Sequence, residues 1–177
     1  MLYAVNLNDK QLYAIPVDNP GAMQAYPIPD ECIGGLAHPW ATKVYNGKVY
    51  TGISCDAVMS QLDAHVHVYV YEFDPVTATW KRVVDRVPGT FWKPWDPTSP
   101  TSDHQLLVGD IEFDESGRMI LNEVSRGDYN TTATANDGIG DYLRLCPSGT
   151  GTWVNCAGTL SNPVGFHIIG GIAYVGG

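Results

Sequence analysis

Two kinds of hairpin turn recur along this 177-residue chain, and their spacing constrains the fold more than any other feature. One kind turns at Asn46-Gly47 and again at Ser116-Gly117, 70 residues later. The other turns near Asp9-Lys10, Val76-Thr77 and Ser148-Gly149, at intervals of 67 and 72 residues. Asn-Gly is a strong hairpin signal because both central residues must adopt positive φ. A period of this size marks one supersecondary unit copied several times, each copy burying its apolar face against the next.

The segments between the turns read as strands. In 65–73, Val66, Val68 and Val70 point to one face and His67, Tyr69 and Tyr71 to the other. Nineteen glycines and twelve prolines suit a chain of many short strands, and no stretch reads as helix. The expected fold is all-β: a β-propeller-type array of four-stranded antiparallel blades in a single domain, 1–177, holding about three blades' worth of strands. Residues 41–84 and 106–157 are the two complete blades. Residues 1–17 form a half blade of outer strands and 165–177 one of inner strands, and a split blade of this kind removes free sheet edges. Propellers typically have at least four blades. The chain is therefore expected to be a fragment of a longer polypeptide or to assemble with further copies of itself.

Two resemblances accompany this reading. The stretch Val68-Tyr69-Val70-Tyr71-Glu72-Phe73-Asp74-Pro75-Val76-Thr77-Ala78-Thr79-Trp80 resembles the outer hairpin of kelch repeats, with a Tyr-rich strand, an Asp-Pro turn and a Trp opening the next strand. Gly170-Gly171-Ile172-Ala173-Tyr174-Val175-Gly176-Gly177 resembles a kelch inner strand. More broadly, Lys43 to Tyr50 with Cys55, Trp95, Asp110-Ile111-Glu112-Phe113-Asp114 with Gly117, and Ser125-Arg126-Gly127-Asp128 are similar to the propeller segment of large secreted bacterial surface proteins. That resemblance implies an extracellular, adhesin-like or surface-structural role without established chemistry.

The formal charge of −9 disfavours nucleic acid as a partner, because an acidic surface repels phosphates. No stretch approaches the roughly 18 apolar residues of a membrane-spanning helix. Four cysteines allow three pairings. A hairpin around 147–152 would set Cys146 opposite Cys156, leaving Cys32 with Cys55. Disulfides predict an extracellular or cell-surface location.

Candidate site residues fall in two loops. The Pro- and Trp-rich loop 85–105 is long enough to be functional. Its Trp92 and Trp95, with Asp96, are candidates for stacking on sugar rings beside a carboxylate, against the plainer reading that they fill the space between sheets. In the polar loop 125–140, Arg126 and Asp128 belong to an Arg-Gly-Asp tripeptide that integrins read. Asp128, Asp137 and Asp141 are the candidate oxygen ligands for Ca²⁺, the one cofactor the sequence offers, against the reading of solvated turn residues. No nucleophile, phosphate-loop or zinc motif is present.

The expected function is an extracellular structural or adhesive surface module, recognising a protein or glycan through loops on a rigid scaffold and self-associating through its sheet edges. The alternatives are a lectin-like propeller using the Trp loop and a glycan-active propeller enzyme. The enzyme would need converging carboxylates, for which Asp110, Glu112 and Asp128 are the candidates.

Overall fold

The computed structural model describes residues 1–89, 91–98, 104–126 and 140–156. Their fold is all-β, built from three antiparallel sheets. Strands β1 (Leu2–Asn6), β2 (Gln11–Ile15) and β3 (Gln24–Pro27) form the first, in that order. Strands β4 (Ala37–Tyr45), β5 (Lys48–Cys55), β6 (His67–Asp74) and β7 (Thr79–Arg86) form a four-stranded meander. Strands β8 (Leu106–Phe113), β9 (Met119–Ser125), β10 (Gly140–Pro147) and β11 (Trp153–Asn155) form another. Short 3₁₀ turns occur at Pro20–Ala22 and Asp63–His65.

The recurring turns take equivalent places in the two meanders. Asn46-Gly47 and Ser116-Gly117 each join the first strand to the second. The turns over 75–78 and 148–151 each join the third to the fourth. Asn46 and Gly47 have φ of 47° and 74°, as the tight Asn-Gly hairpin requires. The turn at Asp9-Lys10 joins β1 to β2 of the three-stranded sheet. It brings Leu7 beside His38 and Trp40 at the start of β4 and Leu107 at the start of β8, at the end of the sheets opposite Asn46-Gly47. Its chemistry is local: the Asp9 carboxylate accepts from the Gln11 N–H at 3.1 Å, just as Asp74 accepts from the Val76 N–H at 2.9 Å. Such a turn fits any hairpin, so its residues do not say which strands it joins. The N-terminal sheet also holds a third strand, β3, beyond the two expected over 1–17. The prolines at 20, 27 and 29 around it mask its strand signal. Residues 165–177 lie outside the described residues.

The sheets stack face to face, with the β4–β7 sheet in the middle. Alternation along β5 and β6 supplies both of its faces. Val49 and Phe73 pack with Leu12, Tyr3, Val5 and Tyr26 of the N-terminal sheet. Tyr50, Val68 and Val70 pack with Val108, Ile111, Phe113, Met119 and Leu121 of the last sheet. Each fully buried side chain of this size contributes about 1.5–3 kcal/mol, which outweighs the weak preference of any single turn.

The seam between the two meanders is close. Tyr45 stacks on Phe113 with ring centroids 4.0 Å apart and planes within 6°. The buried Ser54 Oγ accepts from the Val108 N–H at 2.8 Å. Gly52 lies where an added Cβ would come within 2.5 Å of Val108 Cγ1. Both cysteine pairs are bonded, Cys32 to Cys55 and Cys146 to Cys156, with Cα atoms 5.4 and 5.0 Å apart. No helix among the described residues is long and apolar enough to cross a membrane.

Candidate functional site

At the end of the stack where β4 and β8 begin, a cleft of about 190 Å³ is lined by Leu7, His38, Pro39, Trp40, Trp95, Leu107 and Arg126. Several segments converge there: the β1–β2 turn, the first residues of β4, the 91–98 loop, the start of β8 and the residue after β9. Loops at one end of stacked sheets are a common place for recognition, because the sheets hold them rigid while their sequences vary freely.

Trp95 organises the site. It is only 8% exposed and packs with Leu107 and Val124. Its indole N–H donates to the Leu106 carbonyl at 3.0 Å. The His38 imidazole stacks on its ring with centroids 4.0 Å apart, and the Arg126 guanidinium carbon lies over it at 4.2 Å. Backbone contacts fix the loop: the Trp95 N–H donates to the Asp56 carbonyl at 2.8 Å, and the Gln61 side-chain amide donates to the Trp95 carbonyl at 3.3 Å. The long loop is thereby anchored to the connector after β5.

Asp56 is the second anchor. It is 3% exposed, and its Oδ2 is 2.8 Å from His38 Nε2. Its Oδ1 accepts from the N–H groups of Leu36 at 2.7 Å and Val58 at 3.0 Å. Burial on its own would raise its pKa. The bonds from His38, Val58 and Leu36 outweigh burial and hold the carboxyl below its ordinary value. The local sequence explains the fit. The residue before Asp56, Cys55, is bonded to Cys32, and a Cβ on Gly35 would fall within 2.1 Å of Asp56 Oδ1, so only glycine lets that loop close over the carboxylate. The result is a histidine whose orientation is set by a buried carboxylate, opening on a cleft.

Arg126 is the cation of the cleft. Burial lowers its pKa, and the nearby charges of Asp56 and Asp96 oppose that shift. It remains a guanidinium at neutral pH. Its Nη2 reaches the Asp96 carbonyl at 3.5 Å, and its enclosed Nε has no hydrogen-bond partner among the described residues. The Asp96 carboxylate accepts instead from Thr98, through the backbone N–H at 2.8 Å and the hydroxyl at 2.7 Å.

The residues singled out from the sequence are thus distributed unevenly. Trp95, Asp96 and Arg126 come together, although 85–105 and 125–140 are distant loops in the sequence. Trp92 is 2% exposed within the core between the meanders, away from the cleft lining. Trp95 has its ring covered by His38 and Arg126, so it serves as a support and not as an open stacking platform. Asp128 and Asp137 lie outside the described residues. Asp141 pairs with Glu123 in the β9–β10 ladder. Among the described residues no group of three or more His, Cys, Asp or Glu side chains is placed to hold a metal ion. Glu112 is 2.6 Å from Lys43 Nζ across the seam, and neither it nor Asp110 lines the cleft.

Sequence reasoning missed His38, Trp40 and Asp56. Trp40 is 37% exposed and forms the aromatic wall that Trp95 was expected to provide. The only local signal was a His-Pro-Trp run at the end of an irregular, Pro-rich stretch, and nothing in it announces a carboxylate partner 18 residues later. Comparison with known proteins finds no family model, no curated protein and no solved structure that matches this chain.

Proposed function

We propose that this chain is an extracellular recognition module: a propeller-type stack of sheets, of the kind found in secreted bacterial surface proteins, that binds a glycan or protein partner in the cleft between His38, Trp40 and Arg126. The observation that carries this reading is the Trp95 cluster. Three sequence-distant segments are pinned around one buried indole, and they leave an exposed aromatic, an imidazole and a guanidinium facing one concave site. A few convergent polar groups in an otherwise apolar cleft are the usual composition of a ligand site. Two disulfides fit an oxidising location outside the cell.

Binding of the intact chain to arrays of glycans and of cell-surface proteins tests the proposal. The expected result is a selective set of hits that Trp40→Ala removes without changing the thermal midpoint. Hits that survive Trp40→Ala, or none at all, would reject the cleft as the recognition site.

One observation favours a glycan-active enzyme as the second reading. His38 is held in orientation by the buried Asp56, as a carboxylate orients the imidazole of a catalytic dyad. Turnover of chromogenic glycosides or of polysaccharides, abolished by His38→Gln with binding retained, would establish catalysis in place of recognition alone.

A further inference from the structure

Resting on the recognition reading above, we infer that the cleft takes the carboxylate of an acidic sugar, one uronate residue at a time, with Arg126 as the anion partner and Trp40 against the sugar ring. A guanidinium carries five N–H groups. Among the described residues Arg126 uses one of them, in a long bond of 3.5 Å to a backbone carbonyl. The two acidic side chains near it are engaged elsewhere. Asp56 is occupied by His38 and two backbone N–H groups, and the Asp96 side chain accepts from Thr98. Arg126 is therefore a cation with donors to spare, held over Trp95. The planar fork of arginine matches a carboxylate, which can accept two parallel bonds from it.

The rest of the cleft selects what bears the carboxylate. Leu7, Pro39, Trp40 and Leu107 make its wall mostly apolar. A pyranose has an apolar C–H face suited to an exposed indole, and Trp40 is 37% exposed at the rim. The cleft volume of about 190 Å³ is below the roughly 300 Å³ where clefts for drug-sized ligands begin, so it admits a single residue and not a long segment. The net charge of −9 points the same way, because a polyanion would be repelled where one carboxylate is neutralised by Arg126.

The test is titration of the full chain with methyl β-glucuronide and with methyl β-glucoside, followed by indole fluorescence and by the NMR shifts of the Trp indole N–H groups. The glucuronide is expected to bind about 10- to 100-fold more tightly, the range of a hydrogen bond to a charged group. Arg126→Gln should erase that preference, and Trp40→Ala should weaken both sugars. If Arg126→Gln does not fold, as judged by circular dichroism, the two sugars and the Trp40 indole shift in the unmodified chain decide the matter. Equal affinity for both sugars would overturn the carboxylate assignment and leave the recognition reading standing. So would glucuronide binding that leaves the Trp40 signal unmoved, or that is unchanged in a folded Arg126→Gln. Failure to bind either sugar overturns the acidic-sugar assignment. If the glycan and protein arrays are blank as well, the recognition reading falls with it.

Discussion

The His38 imidazole lies on the Trp95 indole with centroids 4.0 Å apart and planes 23° from parallel, while its Nε2 meets Asp56 Oδ2 at 2.8 Å. One histidine thus joins the anchored loop to the buried carboxylate. The arrangement is rigid because each partner is also fixed by backbone hydrogen bonds, Trp95 to Asp56 and Asp56 to Leu36 and Val58.

Removing the indole should therefore cost stability as well as binding. Trp95→Ala is expected to destabilise the chain by about 3–5 kcal/mol, the usual range for truncating a buried Trp. Urea unfolding measures this directly. A cost under about 1 kcal/mol would mean that the loop is not held by this ring.

Acid should loosen the same region. The folded-state pKa values of Asp56 and Asp114 both lie below the ordinary carboxylate value. For Asp114, burial raises the pKa, and hydrogen bonds from the Arg118 backbone and side chain and from the Ser116 N–H outweigh that effect. A carboxylate depressed in the folded state contributes stability above its unfolded pKa, about 3.9, and loses it as pH falls through the folded value. Unfolding free energy should hence fall as pH drops below about 4. Asp56→Asn should be less stable at neutral pH and show a shallower acid limb. An acid limb identical to that of the unmodified chain would remove Asp56 from this account.

The seam between the meanders offers a paired test. An alanine at Gly52 would drive its Cβ into Val108 Cγ1. Gly52→Ala should cost about 1–3 kcal/mol through overpacking. In the Gly52→Ala, Val108→Ala double variant the two losses should fall short of additivity by more than about 0.5 kcal/mol, because the second change makes room for the first. Strict additivity in a double-mutant cycle would mean that β5 and β8 do not approach as described.

The two disulfides should differ in accessibility. Cys55 is fully buried, whereas Cys146 and Cys156 are each partly exposed near the β10–β11 turn. Limiting reductant under native conditions should open Cys146–Cys156 first, as mass spectrometry of alkylated thiols would show. Cys32–Cys55 closes a longer span, 23 residues against 10, and its loss is expected to cost about 0.7 kcal/mol more through chain entropy alone. Preferential opening of Cys32–Cys55 would contradict the burial seen here.

Much of the fold was legible in the sequence. Val68 and Val70 against Tyr69 and Tyr71 gave β6 and its two packed faces, because side-chain alternation is a property of any strand, although β6 starts at His67 and Val66 caps the 3₁₀ turn before it. Asn46-Gly47 gave a hairpin through its backbone preference alone. Cys146 and Cys156 were placed across a hairpin by their own turn. The strand β3 was hidden by its prolines. The Asp9-Lys10 turn was legible as a hairpin turn and joins β1 to β2, but turn chemistry is local and does not say where in a sheet its hairpin lies.

The candidate site was only half legible. Loop length and aromatic content drew attention to Trp95 and Asp96, and a tripeptide drew it to Arg126. His38, Trp40 and Asp56 gave no such signal, since their meaning depends on contacts between segments that are far apart in sequence. Local preferences, being functions of neighbouring residues, set the strands, the turns and the all-β class. The stacking of Trp95 with His38 and Arg126, and the burial of Asp56 beneath the Gly35 loop, follow from how three sheets pack against one another. That packing is fixed by the summed burial of many side chains, a quantity no short stretch of sequence contains.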